Sequence, residues 1–316
     1  MATIVEVAAL AGVSTATVSR VFNGQTVSDE RTQAVHRAAA ELNFVPNRMA
    51  RSLRRQQSEI IALVIPDVSN PYFTDVARGV EDVARAAGYS VVLCNTDGDR
   101  VAEAEYLRVA ASSRMAGVIL AAADDDAASR VAAYGLPVVA VDRGVDGAVD
   151  EIVMDNREAG ELAASALPTV EGAVCITGPA AVATARDRAT GARGAGVPEV
   201  VYASFGVDEA RRAALALLDR ATPPSGIVAG NNLIGVGVLQ ALASRGLSVA
   251  DLPVTVIGAL PFTTLDPRAV PIVRLPSRRM GELSAERLLA RILGGESGDA
   301  GDVRRTVLHG RLEPGS

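Results

Sequence analysis

The sequence predicts two unlike parts: a small all-α helix-turn-helix headpiece, then a larger two-lobed α/β body on parallel, doubly wound sheets. Three observations carry this. The first forty-odd residues hold three short helical patterns around a glycine-containing turn, in a net basic stretch. From Glu59 onward, short runs of Val, Ile, Ala and Leu alternate with amphipathic helical stretches. That alternation then occurs a second time, which implies two similar lobes with a ligand cleft at the carboxyl ends of their strands.

Composition sets the frame. The 316 residues suffice for two or three domains. With 49% hydrophobic residues, 3% aromatics and no tryptophan, the core must be Ala, Val, Leu and Ile. All 31 basic residues are arginine, so no lysine is present for Schiff-base or P-loop chemistry. Cys94 and Cys175 each end an apolar run; they are expected to be buried free thiols in a reducing compartment. The start, MATIVEVAALAG, lacks a basic leader, and no run reaches the ~18 apolar residues of a membrane span. A cytoplasmic protein without membrane contact is expected. Residues 1–58 carry seven arginines against four acids, while the rest carries 24 arginines against 33 acids. A basic module on an acidic body suggests a nucleic-acid partner.

The elements follow in order. Thr3 and Glu6 have capping-box spacing for a first helix through Val5, Ala8, Ala9 and Leu10, which Gly12 stops. Ser14 is a good N-cap for a second helix, ended by Asn23-Gly24. Val18, Val21 and Phe22 form its apolar stripe; Thr15, Ala16, Ser19, Arg20 and Asn23 face the other way. Such a face can enter a major groove, where Arg reads guanine and Thr or Ala methyls meet thymine. Ser28 caps a third helix, with Asp29 and Glu30 in its first turn and Val35, Ala38, Ala39 and Leu42 on its buried face. Pro46 blocks its continuation. Asn47 to Leu53, bearing Arg48 and Arg51, is a helical segment too short to stand alone, so it needs DNA or a second subunit. Leu53 suits a minor-groove wedge. One recognition helix reads few base pairs, so a symmetric homodimer on a palindrome is expected.

In the body, EIIALVIP, YSVVLCNT, AGVIL and LPVVAVD are the strands of the first half, and EGAVCITG, PEVVYASFG, SGIVAGN and PVTVIGAL those of the second. Helices fall between them, one marked by Phe73, Val76, Val80 and Val83. GARGAG, residues 191–196, reads as a loop. There is no Walker motif, no dinucleotide fingerprint, no metal-ligand spacing and no G-x-S-x-G elbow. His36 and His309 stand beside no nucleophile. Neither an enzyme nor a cofactor or metal protein is expected.

TIVEVAALAGVSTATVSRVFNG, continued by VSDERTQAVHRAAAELNFVPNRMARSL, closely resembles the DNA-binding headpiece and hinge of the lactose/galactose repressor (LacI/GalR) family from Thr3 to Leu53. The resemblance implies that Thr15, Ala16 and Arg20 face bases, that Thr3, Ser14, Ser19 and Asn23 touch phosphates, that Asn47 and Arg48 open a DNA-contacting hinge helix, and that Leu53 intercalates. IPDVSNPYF, VVAVDR, ARDRATG, AGNNLIGVGVLQAL and VIGALPFTTLDP, continued by VRLPSRRMGELSAERLL, resemble the same family's body and, through it, the periplasmic sugar-binding proteins. This implies a headpiece at 1–45, a hinge at 46–58 and an effector-binding, dimerising body at 59–316. Lobe one would take about 59–156 and 260–294; lobe two, 157–259 and 295–316. The implied effector-binding residues are Asn70, Tyr72, Phe73, Asp142, Arg143, Arg188, Phe205, Asn232 and Arg274. Aromatic faces would stack on a sugar ring while Asp, Asn and Arg bond its hydroxyls.

Departures from the family pattern are local. Asn232 stands where the family usually has Asp, and Gly258-Ala259-Leu260-Pro261 where it often reads G-F-D-D. The segment 191–199 is short, with Gly194 to Gly196 in place of most of a helix. The effector is thus open between a neutral sugar and an acidic or phosphorylated one. The function implied is a repressor whose affinity for a palindromic operator answers allosterically to a small sugar-like effector. The alternative is a sugar sensor without DNA function.

Overall fold

A computed structural model describes residues 2–22, 25–44, 58–124, 127–145, 149–261, 269–294 and 303–315. The chain divides into two units, Met1–Ser58 and Glu59–Ser316.

In the first unit, α1 (Ile4–Ala11) starts at Thr3. Glu6 N donates to Thr3 Oγ1 (3.3 Å) and Thr3 N donates to Glu6 Oε2 (2.7 Å), which closes the expected capping box. Gly12 adopts φ 65° and lets the chain leave the helix. α2 (Thr15–Phe22) follows at 103° to α1, its start capped by Ser14 Oγ accepting from Thr17 N at 3.1 Å. α3 (Asp29–Glu41) packs across both. Val7, Val18 and Val35 are fully buried where the helices meet, with Ala8, Ala38 and Ala39 around them. Val5 and Leu10 of α1 are exposed instead. Ser28 precedes α3, but its side chain makes no capping bond. The charges of Asp29 and Glu30 are left to satisfy that helix end. Asn23, Asn47, Arg48, Leu53 and the expected hinge helix lie outside the described residues.

The body opens with β1 (Ile60–Ile65), α4 (Pro71–Ala86), β2 (Ser90–Asn95), α5 (Arg100–Ser112), β3 (Gly117–Leu120), α6 (Ala127–Ala132), β4 (Val138–Asp142) and β5 (Asp150–Met154). The second lobe adds α7 (Asn156–Ser165), β6 (Val174–Thr177), α8 (Ala183–Gly194), β7 (Glu199–Tyr202), α9 (Val207–Leu218), β8 (Ile227–Ala229), α10 (Asn232–Ser244), β9 (Val254–Ile257) and β10 (Ile272–Arg274). The chain then returns through α11 (Ser277–Leu293), β11 (Arg305–Leu308) and β12 (Arg311–Glu313).

The strand orders are β11-β5-β4-β3-β1-β2 and β12-β10-β9-β8-β6-β7. They are the same doubly wound order used twice. Among the described residues all pairings are parallel except β10 with β12. Leu63 of β1 lies between Leu93 and Ile119; Cys175 of β6 holds the equivalent place between Val200 and Val228. Burial pushes the Cys175 thiol up to about 12, so it is an inert core group. Among the described residues no single helix is long and apolar enough to cross a membrane.

Two expectations are corrected. First, the lobe boundaries: β10 (272–274) belongs to the second sheet and β11 (305–308) to the first. The chain changes lobe three times, at Asp155, at Leu275-Pro276 and at His309-Gly310. These crossings are too short to carry a linker composition. Second, residues 191–194 are helical, not a loop, and α8 runs its full length to Gly194. Gly191 is there for packing. A Cβ on it would sit 1.9 Å from Arg157 O of α7, and one on Gly160 of α7 would sit 2.2 Å from Arg188 O. Lobe one repeats the device: a Cβ on Gly79 of α4 or Gly281 of α11 would come within 2.1 Å of the other helix's backbone. In each lobe, paired glycines let two helices cross backbone to backbone.

Candidate functional site

The carboxyl ends of both sheets face a cavity of about 460 Å³. From lobe one, the turn after β1 supplies Asn70. Its Oδ1 caps α4 by accepting from Tyr72 N at 3.0 Å. That fixes the amide, and the same oxygen accepts from Asn232 Nδ2 of lobe two at 3.0 Å. One buried hydrogen bond therefore ties the lobes together.

Tyr72 and Phe73 follow Pro71 into the first turn of α4, their rings edge to face with centroids 5.0 Å apart. Tyr72 OH donates to Asp142 Oδ1 at 2.8 Å and lies 3.2 Å from Met280 Sδ. Burial, and then the Asp142 charge, push its pKa well above the ordinary phenol value. Tyr72 is thus a neutral donor throughout the physiological range.

Asp142 ends β4 with φ 66°, a left-handed conformation that costs a non-glycine residue energy. The turn aims its buried carboxylate into the cavity. Arg143 follows at once. Its Nη1 donates to Ala122 O at 2.7 Å, and its guanidinium carbon lies 5.9 Å from the centroid of the Phe205 ring in lobe two. Its Nε is buried without a hydrogen-bond partner, the nearest acid being Asp142 Oδ2 at 3.7 Å.

Lobe two contributes Arg188 from α8, which is 5% exposed. Nε donates to Asn156 Oδ1 and Nη1 to Gly230 O, both at 2.8 Å. Burial draws its pKa below the usual guanidinium value, against the opposing pull of Asp142. Phe205 rests on Gly178, where a Cβ would fall 2.2 Å from its ring. Asn231 caps α10, accepting from Ile234 N at 2.6 Å, and its Nδ2 donates to Phe205 O at 3.2 Å.

Asn70, Tyr72, Phe73 and Asp142 thus meet Arg143, Arg188, Phe205 and Asn232 around one cavity. Arg274 is the exception. It lies outside that lining and is half exposed, because Glu313 of β12 takes its guanidinium through two bonds of 2.7 and 2.8 Å. Sequence reasoning missed Asn231, Ser204, Thr184, Asp67 and Asp97, which also line the cavity. Most follow a strand closely, a position that could have marked them.

In the headpiece, Thr3, Ser14, Thr15, Ala16 and Arg20 are exposed and Ser19 is half-buried. Thr15, Ala16 and Arg20 stand on α2 away from buried Val18, as a groove-reading face requires. Elsewhere, one ligand atom each from Asp155, Glu158 and His309 lies within 4.8 Å of the others; His309 Nδ1 is 2.5 Å from Glu158 Oε2.

Residues 58–308 match the model of periplasmic binding proteins and the sugar-binding domain of the LacI family, and residues 3–47 match that of bacterial regulatory proteins of the lacI family. The chain belongs to the LacI family. It is a transcriptional regulator rather than an enzyme, with a DNA-binding helix-turn-helix and a periplasmic-binding-protein-like body. It is 35% identical over 301 residues to the ribose operon repressor of Halalkalibacterium halodurans, covering 92% of this chain and 91% of that one. A transcriptional regulator CelR–cellobiose complex is similar at 27% identity and TM-score 0.69, covering 99% and 98%. A Lac repressor dimer bound to operator and the anti-inducer ONPF shares the fold at TM-score 0.84 and 23% identity, covering 98% and 97%.

Proposed function

We propose that this LacI-family regulator binds a palindromic operator as a cytoplasmic homodimer, and that the cavity holds a small sugar or sugar derivative whose binding sets operator affinity. On DNA, Thr15, Ala16 and Arg20 read bases while Thr3, Ser14, Ser19 and Asn23 grip phosphates. Asn47 and Arg48 begin the hinge contact, and Leu53 wedges the central step. In the body, Tyr72, Phe73 and Phe205 offer ring faces; Asn70, Asp142, Arg143, Arg188 and Asn232 bond hydroxyls.

The observation that carries the effector reading is the bridged cavity. Side chains of both lobes meet there through Asn70 and Asn232, and through Arg143 and Phe205. A ligand held by both lobes favours their closed arrangement by the difference of its affinities for the two arrangements, and the coupling to operator affinity is reciprocal. The relatives support the ligand class: one is a ribose operon repressor and another was solved with cellobiose.

A mobility-shift titration of the full chain on palindromic DNA, run at several salt concentrations with and without a panel of sugars, tests both halves. The expected result is a salt-sensitive shift whose midpoint moves with one sugar class. A shift indifferent to every small molecule that binds the body would overturn the allosteric reading. The lack of any shift would overturn the DNA reading.

A further inference from the structure

The cavity charges do not balance. Elsewhere this chain closes its arginines on carboxylates through two bonds at a time: Arg274 on Glu313 (2.7 and 2.8 Å), Arg220 on Glu199 (both 2.8 Å) and Arg291 on Asp150 (2.8 and 3.0 Å). Arg143 and Arg188 are treated differently. Their hydrogen bonds go to neutral oxygens, those of Ala122, Asn156 and Gly230. The one buried carboxylate beside them, Asp142, gives one oxygen to Tyr72 and stays 3.7 Å from Arg143 Nε. Among the described lining residues lobe two offers no carboxylate, and Asn232 is an amide.

Two further acids line the cavity, Asp67 and Asp97, but they do not restore the balance. Asp67 Oδ1 is taken by the N–H and hydroxyl of Ser69 at 2.9 and 2.6 Å, and Asp97 Oδ1 by Asn95 Nδ2 at 2.7 Å. Asp97 is exposed and Asp67 half-buried, so water and salt screen both. The interior therefore holds two desolvated guanidinium groups against one carboxylate. The Arg143 side chain is only 10% exposed, and its Nε is a donor without an acceptor. A buried cation with donors to spare is costly unless something negative completes it.

We infer that the effector is a polyol bearing an anionic oxygen group, a carboxylate or a phosphate, which Arg143 and Arg188 hold from opposite lobes. This rests on the cavity being the effector site. The aromatic walls and Asn232 take the neutral part of the molecule. Burial, and with it the Arg143 charge, draws the Arg188 pKa below the usual guanidinium value, and an anion between the two arginines would oppose both effects.

Calorimetric titration of the full chain with matched ligands tests the inference: D-ribose against D-ribonate and D-ribose 5-phosphate, D-glucose against D-gluconate and D-glucose 6-phosphate, with inorganic phosphate as the bare anion. The expected result is that a charged member binds about 10- to 100-fold tighter than its neutral partner at physiological salt, the range of one charge-assisted bond. Which charged member wins separates carboxylate from phosphate. Arg143→Gln should weaken binding of the charged member far more than that of its neutral partner, and so remove that preference. Equal or tighter binding of the neutral member, lost on Phe205→Ala, would overturn the anionic effector and leave the effector site standing. Anion binding undiminished in both Arg143→Gln and Arg188→Gln would also overturn it. Absence of saturable binding by every ligand, inorganic phosphate included, would overturn the inference together with the reading of the cavity.

Discussion

Gly191→Ala and Gly194→Ala, three residues apart in one helix, should change stability in opposite directions. A Cβ on Gly191 would lie 1.9 Å from Arg157 O, 2.8 Å from Arg157 C and 3.0 Å from Glu161 N. All three are backbone atoms of α7 and cannot rotate away. Restoring an ordinary carbon contact requires α8 to retreat by about 1.5 Å. Overpacking by one carbon costs about 1–3 kcal/mol, and a backbone obstacle puts this site at the upper end. The gain of about 1 kcal/mol in helix propensity offsets part of it, leaving a net loss of about 2 kcal/mol. In a body of this size that lowers the melting temperature by about 4–8 °C. Gly194 has Glu161 Oε1 as its nearest neighbour at 3.8 Å, an ordinary contact. There only the propensity gain operates, worth up to about 1 kcal/mol. Calorimetric unfolding of the full chain and both variants reads the difference. Equal stabilisation by the two alanines would refute the close crossing of α7 and α8. The effect should also reach the cavity. Arg188 sits one turn before Gly191 on α8 and bonds Asn156 of α7, so a displaced α8 draws its guanidinium off that partner. Gly191→Ala should therefore weaken effector binding, and Gly194→Ala should not.

Four shorter predictions follow from the same geometry. Gly178→Ala drives Phe205 from its seat and off Arg143, and should lower effector affinity in a calorimetric titration while the melting temperature changes little. Tyr72→Phe leaves Asp142 Oδ1 without its donor and should destabilise the body by about 1–3 kcal/mol, measured by urea titration. Glu158, through its hydrogen bond and charge, raises the His309 pKa above its ordinary 6.5. The stability this adds is therefore full below that value and fades as pH rises through the raised one. The melting-temperature advantage of the wild type over His309→Gln should be largest on the acid side and vanish in mild base. Arg20→Ala should relax base preference in each operator half-site by about 1–3 kcal/mol in competition mobility shifts. Uniform weakening on all sequences would make Arg20 a phosphate clamp.

The strands that build the core were readable because buried parallel strands are near-continuous apolar runs; the stretch ending at Ile65 and the one ending at Asp142 are examples. β10 and β11 were not assigned to their sheets, being short, in part exposed, and each followed after only two residues by an element of the other lobe. Arg274 was misplaced with them, since its β12 partner Glu313 lies 39 residues away in sequence and no local pattern links the two. In GARGAG, composition could not separate two uses of glycine. Gly191 is helical and admits a neighbouring backbone, whereas Gly196, at φ 102°, does leave the helix. Resemblance supplied the cavity residues as a set, but their pairing is tertiary. That Asn70 meets Asn232 across 162 residues, and that Arg143 Nε has no hydrogen-bond acceptor, only the folded chain reveals.

Those pairings bear on what an effector must do. At the cavity the lobes are bridged by an amide hydrogen bond and a cation–π contact. Each is worth about 1 kcal/mol. Moving a two-state equilibrium from one extreme to the other takes about 5.5 kcal/mol of differential affinity. A ligand held by one lobe supplies none of it, however tightly it binds, because those contacts are identical in both arrangements. A ligand bonding Arg143 on one side and Arg188 on the other makes its full set only when the lobes are closed. Two charge-assisted bonds of about 3 kcal/mol each, or three of about 2 kcal/mol, are enough. A fragment reaching Asp142 and Arg143 alone should accordingly bind the body yet leave operator affinity unchanged. Mobility-shift midpoints at saturating fragment measure this, and a shifted midpoint would show that lobe one alone carries the signal.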